Sequence, residues 1–369
     1  MLRKISPVFT DKMSSFYKGL APAGIAKYEP IPIHTFRELV YEVAELSCLN
    51  KDYLLFYRGQ THDHRNKGGA STLYPSIYRG DSVSKDELDL RFSYLRTSAE
   101  SLKHRIEEEF SGKKSLKEVS LRKHIQWSIL QHYEVCPTPF LDITQSLLVA
   151  CSFAFFDSSE EVILYVLGMP YNTNRISRNS EHEIINIRLL SICPPEALRP
   201  YFQEGYLAGT DGIDYRAVSK TQYDFNRRLL AKYKLMEASK FWSDGFHQLS
   251  SDTLYPENDP IFHICEKIKR EANNSVSNES LGSFISMWSE LEYILRTYSL
   301  DNKRFPTVSD SLRFLYRKEI LSDQDINTIN HIRQTRNKAV HTPQQVEMDE
   351  IIESRKLLSA ILTILKQSR

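Results

Sequence analysis

The sequence predicts an α+β domain, a mixed sheet flanked by helices, followed by an all-α domain of four-helix-bundle type. Three observations lead there. Short apolar runs such as Tyr53–Tyr57 and Glu161–Gly168 alternate with segments of helical period through the N-terminal part. The stretch Ser250 to Pro260 is polar and bracketed by prolines, which marks a boundary. Beyond it glycine occurs once, at Gly282, and apolar residues recur at three- and four-residue steps. These shifts divide the chain into an extended arm over 1–34, a mixed domain over 35–262 and a helical domain over 263–369.

Within the arm, Pro7, Pro22, Pro30 and Pro32 interrupt any periodicity. Phe36, Leu39, Val40, Val43 and Leu46 then form one apolar helical face, with Thr35 as N-cap and Glu38 as its capping-box partner. Tyr53–Tyr57 reads as a buried strand that ends at Arg58-Gly59. Leu88 to Glu109 and Lys117 to His132 read as helices, and Ser146 to Phe156 as a small-residue helix packed on a sheet. Glu161–Gly168 and Glu183–Leu190 are expected strands, Asp211-Gly212 a break, and Tyr223 to Tyr233 a helix. In the last domain, Phe284 to Leu295, Leu312 to Tyr316, Ile326 to Ile332 and Ile351 to Leu365 supply four amphipathic faces.

The chain has 369 residues with a formal net charge of +1. Such a balance excludes a broad basic coat for DNA, though not a local phosphate site. No apolar run is long enough for a signal peptide or a membrane span, so the expected location is cytoplasmic. Five scattered cysteines without a Cys-x-x-Cys pair fit reduced thiols and argue against a structural zinc site. His62-Asp63-His64 has no third ligand nearby and reads as a solvated loop.

Four clusters in the mixed domain carry possible chemistry: Tyr57-Arg58-Gly59-Gln60; Leu73 to Arg79; Gln131-His132 through Asp142 to Thr144; and Arg199 to Leu207 with Gln203. An arginine at the end of a buried strand needs a carboxylate or a phosphate. Asp142, after a proline-rigid turn, is the internal candidate, and His132 can titrate near neutral pH. A purely structural Arg58–Asp142 ion pair is the competing reading.

In this order the clusters resemble the FRG domain, named for a Phe-Arg-Gly motif, over roughly residues 35–265. Tyr57 replaces the Phe, and the family's short His-x-Gly-x-Pro-Thr turn is replaced by the longer His132 to Thr138 segment. The resemblance makes Arg58, Gln60, Arg79, His132, Asp142 and Gln203 the candidate ligand-binding set, with no cofactor. Tyr-Arg-Gly at a strand end is also similar to arginine-type mono-ADP-ribosyltransferases. There Arg58 would hold a phosphate of NAD, and Glu183, within Glu181-His182-Glu183, would stabilise an oxocarbenium-like ribose. No Ser-Thr-Ser strand accompanies them.

Arg336-Asn337-Lys338-Ala339-Val340-His341 within the helical domain resembles the signature of HEPN ribonucleases. The resemblance implies a homodimer that cleaves an RNA substrate without metal, leaving a 2′,3′-cyclic phosphate, with Arg336, Asn337 and His341 catalytic. The chemistry is intelligible: histidine moves protons, and arginine grips a phosphate with two donors. Pro343 disfavours helix at Thr342 and so places His341 at a helix end. The expected function is a toxin-like or phage-defence effector whose FRG-like domain senses or regulates. A trigger or antitoxin is left open. The alternatives are catalysis in the N-terminal domain with NAD, or a non-catalytic adaptor binding a nucleotide or phosphorylated ligand.

Overall fold

The computed structural model describes residues 2–80, 85–113, 116–172, 175–210, 220–243, 245–298, 308–341 and 348–368. The chain divides into two compact units, Met1–Lys269 and Arg270–Arg369. The expected break at Asp211-Gly212 lies outside the described residues, as do Thr342 and Pro343.

The first unit is built on one eight-stranded sheet: β1 (Ile31–Ile33), β2 (Leu54–Gln60), β3 (Leu141–Thr144), β4 (Val162–Met169), β5 (Ile176–Asn179), β6 (Ile184–Arg188), β7 (Gly205–Thr210) and β8 (Leu229–Leu235). Its order is β1-β8-β4-β2-β3-β7-β6-β5. β1 runs parallel to β8 and every other neighbouring pair is antiparallel. Every residue of β4 is buried, which is why its sequence is a continuous apolar run without alternation. Helix Phe36–Leu49 starts where Thr35 accepts from the Glu38 amide. Glu38 reaches back one residue further than a capping box requires, taking the His34 amide at 2.7 Å.

Several expectations need correcting. The arm is not simply extended. It holds a helix, Asp11–Phe16, capped by Thr10, a 3₁₀ turn, Pro22–Lys27, and β1. Leu2, Ile5, Met13, Tyr17 and Ile25 are buried in the main core. Asn50 clasps the Val8 backbone through both its carboxamide atoms, and Arg227 and Arg228 hold the carbonyls of Leu2 and Arg3.

Tyr223–Tyr233 is not a helix. Two 3₁₀ turns lead into β8, because pairing with β1 on one side and β4 on the other outweighs the local helical preference of Leu-Leu-Ala-Lys. The segment Lys117–His132 breaks at Arg122, whose backbone is extended. The Gln126 amide takes over the loose Val119 carbonyl at 2.8 Å. β2 continues through Arg58 and Gly59 to Gln60 rather than ending before them.

The second unit is helical. It comprises the C-terminal part of Pro260–Thr297 together with Val308–Arg317, Asp323–His341 and Met348–Gln367. Phe284, Trp288, Leu291, Leu295, Leu315, Ile329, Ile332, Leu358 and Leu365 are buried together there. Among the described residues, no helix is long and apolar enough to cross a membrane. All five cysteines are free thiols, and four of them are buried.

Candidate functional site

β2 pairs with β4 over seven residues but meets β3 at one registered pair, Tyr57↔Thr144. Beyond that pair lies a cavity of about 240 Å³ lined by Arg58, His132, Asp142 and Gln203, with Tyr57, Phe153, Tyr206 and Tyr255 as aromatic wall. Helix Leu147–Ala154 closes one side, directly against Gly59. A Cβ at that glycine would meet the Ala150 carbonyl at 2.0 Å and the Ala154 nitrogen at 2.8 Å. Glycine after the arginine is therefore a packing requirement, since it lets the helix sit on the strand.

Arg58 donates from Nη1 to the backbone carbonyl of Asp142 at 2.7 Å. The structure shows this bond rather than the side-chain ion pair of the competing structural reading, and the Asp142 carboxylate bonds elsewhere. Its Oδ2 accepts from Gln131 Nε2 at 2.6 Å, and its Oδ1 lies 3.5 Å from His132 Nδ1. Burial pushes Arg58 down to about 10, with the Arg79 charge adding to the effect, so the guanidinium stays charged at neutral pH. Its Nε is buried with no hydrogen-bond partner. Burial alone would raise Asp142, but the hydrogen bond and charge of His132, then Arg58 and Gln131, hold it below the usual carboxylate range.

The sequence clusters meet because they hydrogen-bond one another. Gln131 Oε1 accepts from Ser76 Oγ at 2.8 Å and Thr138 Oγ1 at 2.5 Å, which turns its amide nitrogen toward Asp142. Ser76 Oγ in turn accepts the Thr138 amide. The Pro75-Ser76 and Pro137-Thr138 segments thus form one rigid clasp that aims the Asp142 carboxylate. Gly205 leaves room for the imidazole, since a Cβ there would lie 3.0 Å from His132 Cε1. His132 Nε2 is buried without a partner. Gln203 is held by its bond to the Leu254 carbonyl at 2.8 Å.

Other candidate residues fall outside this lining. Gln60 follows Arg58 on the same face of β2, and its Oε1 is buried and unpartnered. Arg79 is exposed, donates to the Tyr74 carbonyl at 3.1 Å, and acts on Arg58 and Asp142 through its charge. Glu183, at φ 55°, lies in the turn before β6 and does not line the cavity. That turn is tied to the arm instead: Glu181 pairs with Arg3, and His182 Nδ1 meets Arg228 Nη1 at 2.9 Å. Arg58 and Glu183 are therefore not brought into one cavity. Asp63, between His62 and His64, is half-buried and bonds the buried Tyr165 and Lys232 and the exposed Arg65.

The fourth sequence cluster opens on a buried arginine, Arg199, that is not among the candidate ligand residues. The Arg199 guanidinium lies 5.1, 4.8 and 4.7 Å from the ring centres of Tyr133, Tyr255 and Phe262. Asp259 is fully buried beside it and accepts from the Tyr133 hydroxyl at 2.6 Å and the Arg199 amide at 3.1 Å. This knot anchors Tyr255, which lines the cavity. The Asn-Asp-Pro sequence ahead of a helix was its available signal.

In the helical unit, Arg336 and Asn337 lie on helix Asp323–His341. Arg336 Nη1 donates to Asn337 Oδ1 at 3.1 Å, and its Nε is buried without a partner. His341 is the last residue of that helix, and its side chain lies outside those described. Among the described residues, no group of three or more His, Cys, Asp or Glu side chains is placed to hold a metal ion.

No curated protein and no solved structure matches the chain. The sequence model of the FRG domain matches residues 54–162, from the first residue of β2 to the first residue of β4, so the stretch carrying Arg58, the Ser76–Gln131–Thr138 clasp and Asp142 is similar to the FRG domain.

Proposed function

We propose that the chain is a two-part effector. Its FRG-like unit holds a phosphate-bearing small ligand at Arg58, and this senses or regulates the helical unit. The helical unit is a four-helix bundle of HEPN type that cleaves RNA as a homodimer in the cytoplasm, in the manner of a toxin or antiviral defence protein. One observation carries the ligand reading: Arg58 is a half-buried cation on the wall of an open cavity, and among the described residues its guanidinium bonds the protein only through Nη1. A guanidinium on a cavity wall with donors left over offers them to a phosphate oxygen in charge-assisted bonds. The NAD-transfer alternative lacks its acid in this cavity, since Glu183 lies elsewhere.

Two measurements test the proposal. Calorimetric titration with pyrophosphate should show binding that Arg79→Ala weakens and Arg58→Ala abolishes. No heat with any phosphate compound would refute the ligand reading. For the helical unit, purified full-length protein should cut total RNA in the presence of EDTA and leave 2′,3′-cyclic phosphate ends. His341→Ala should lose about two to four orders of magnitude in rate, and Arg336→Lys should also be impaired, because an ammonium cannot reproduce the two-donor grip. Cleavage abolished by EDTA, or a monomer by light scattering, would refute the ribonuclease reading.

A further inference from the structure

We infer that the ligand of the Arg58 cavity is a ribonucleotide, with phosphate toward Arg58 and Arg79, sugar hydroxyls on Asp142 and the base among the rings of Phe153, Tyr206 and Tyr255. The inference rests on the phosphate reading above and narrows it.

The anion is set by charge. Arg58 is half-buried and, among the described residues, bonds the protein only through Nη1, and Arg79, outside the lining, adds a second positive charge that acts on it. Glu134 also borders the cavity, but it is exposed and its charge is screened by solvent. A phosphate alone leaves Asp142 unexplained. That carboxylate keeps 37 % of its side-chain surface open and is held ionised by His132 and Arg58. An ionised carboxylate only accepts hydrogen bonds and repels a second anion. A ligand that satisfies both sides of the cavity carries hydroxyl donors next to its phosphate, as a sugar phosphate does.

The rings favour a base on that sugar. Tyr255 is pinned by the Arg199 guanidinium at 4.8 Å and by the edges of Phe153 and Phe156, at 6.1 and 5.5 Å between ring centres. Tyr206 is fixed by its hydroxyl bond to Gln145 at 3.0 Å and by Phe56. Rings already immobilised lose little entropy on stacking, and a stacked base contributes on the order of 1–3 kcal/mol. A cavity of about 240 Å³ suits a mononucleotide rather than a dinucleotide.

The test is calorimetry on the full chain with AMP, GMP, CMP and UMP, each against ribose 5-phosphate and pyrophosphate, together with 2′,3′-dideoxy-AMP. At least one nucleotide should bind about tenfold or more tighter than ribose 5-phosphate. Loss of both sugar hydroxyls should weaken AMP by about 10- to 100-fold, the worth of a hydrogen bond to a charged group. Asp142→Asn should narrow that gap, and Tyr255→Ala should narrow the gap between nucleotide and ribose 5-phosphate. Arg79→Ala, at an exposed position that spares folding, should weaken every phosphate ligand. Ribose 5-phosphate or pyrophosphate binding as tightly as the nucleotides would overturn the inference and leave the phosphate reading standing. Equal binding of AMP and its dideoxy form would overturn the role of Asp142. No binding by any of them would overturn both.

Discussion

Gly59→Ala is the sharpest test of how the fold builds the cavity. The added methyl would lie 2.0 Å from the Ala150 carbonyl oxygen, about 1.4 Å short of ordinary van der Waals contact, and 2.8 Å from both Ala154 N and Cβ. These are mostly backbone atoms of helix Leu147–Ala154, so no rotamer change relieves the clash and the helix must move as a body. Overpacking of this kind costs about 1–3 kcal/mol, and a backbone obstacle places Gly59 at the upper end. For a unit of this size, a loss of about 3 kcal/mol lowers Tm by roughly 6–12 °C. Because the same helix presents Ala150 and Phe153 to the cavity, pyrophosphate binding should weaken even at temperatures where the variant is folded. Thermal unfolding by circular dichroism, paired with calorimetry, reads both effects. Gly282→Ala is the control: it sits inside a helix with no neighbour within 4 Å, and should stabilise by about 0.5–1 kcal/mol. A Gly59→Ala protein that melts within about 1 °C of wild type would refute the packing argument.

Other outcomes follow from buried charges. Burial raises Asp224 to about 6, although its Oδ1 accepts the Leu73 and Asn226 amides. A folded value above the unfolded one contributes stability below about pH 4, lost as pH rises through about 6, and at about 1.4 kcal/mol per pH unit the loss totals roughly 3 kcal/mol. Asp224→Asn keeps the acceptor and should remove this slope in denaturant titrations between pH 4 and 7; an unchanged slope counts against the assignment. Lys232 is fully buried and bonds Ser71 Oγ at 2.7 Å and Asp63 at 3.4 Å. Lys232→Ala leaves Asp63 its bonds to Tyr165 and Arg65 but opens a buried cavity, and should cost about 2–5 kcal/mol, so a wild-type denaturation midpoint would show the Asp63–Lys232 knot to be dispensable.

Much of this protein was legible without coordinates wherever local chemistry decides. Phe36, Leu39, Val43 and Leu46 recur on one helical face behind a Thr35 cap, and Phe36–Leu49 is that helix, although Val40, assigned to the same face, is exposed. Val162 to Gly168 lacks polar alternation because β4 is covered on both faces. The helical segments of the C-terminal unit follow the same periodicity. Tertiary structure decided what depends on partners distant in sequence. Leu229–Leu235 is apolar enough for either state, and it became a strand because β1 and β4 supply its backbone bonds. The arm is ordered by Asn50, Arg227 and Arg228, which no local pattern links to residues 2–8. Motif spacing marked Arg58 and Asp142, yet it could not show that the arginine takes the aspartate's backbone carbonyl while the carboxylate turns to Gln131 and His132. Periodicity reports which side chains leave water. Which donor meets which acceptor is set by the competition among buried groups to be satisfied, and that competition is resolved only when the whole sheet has closed.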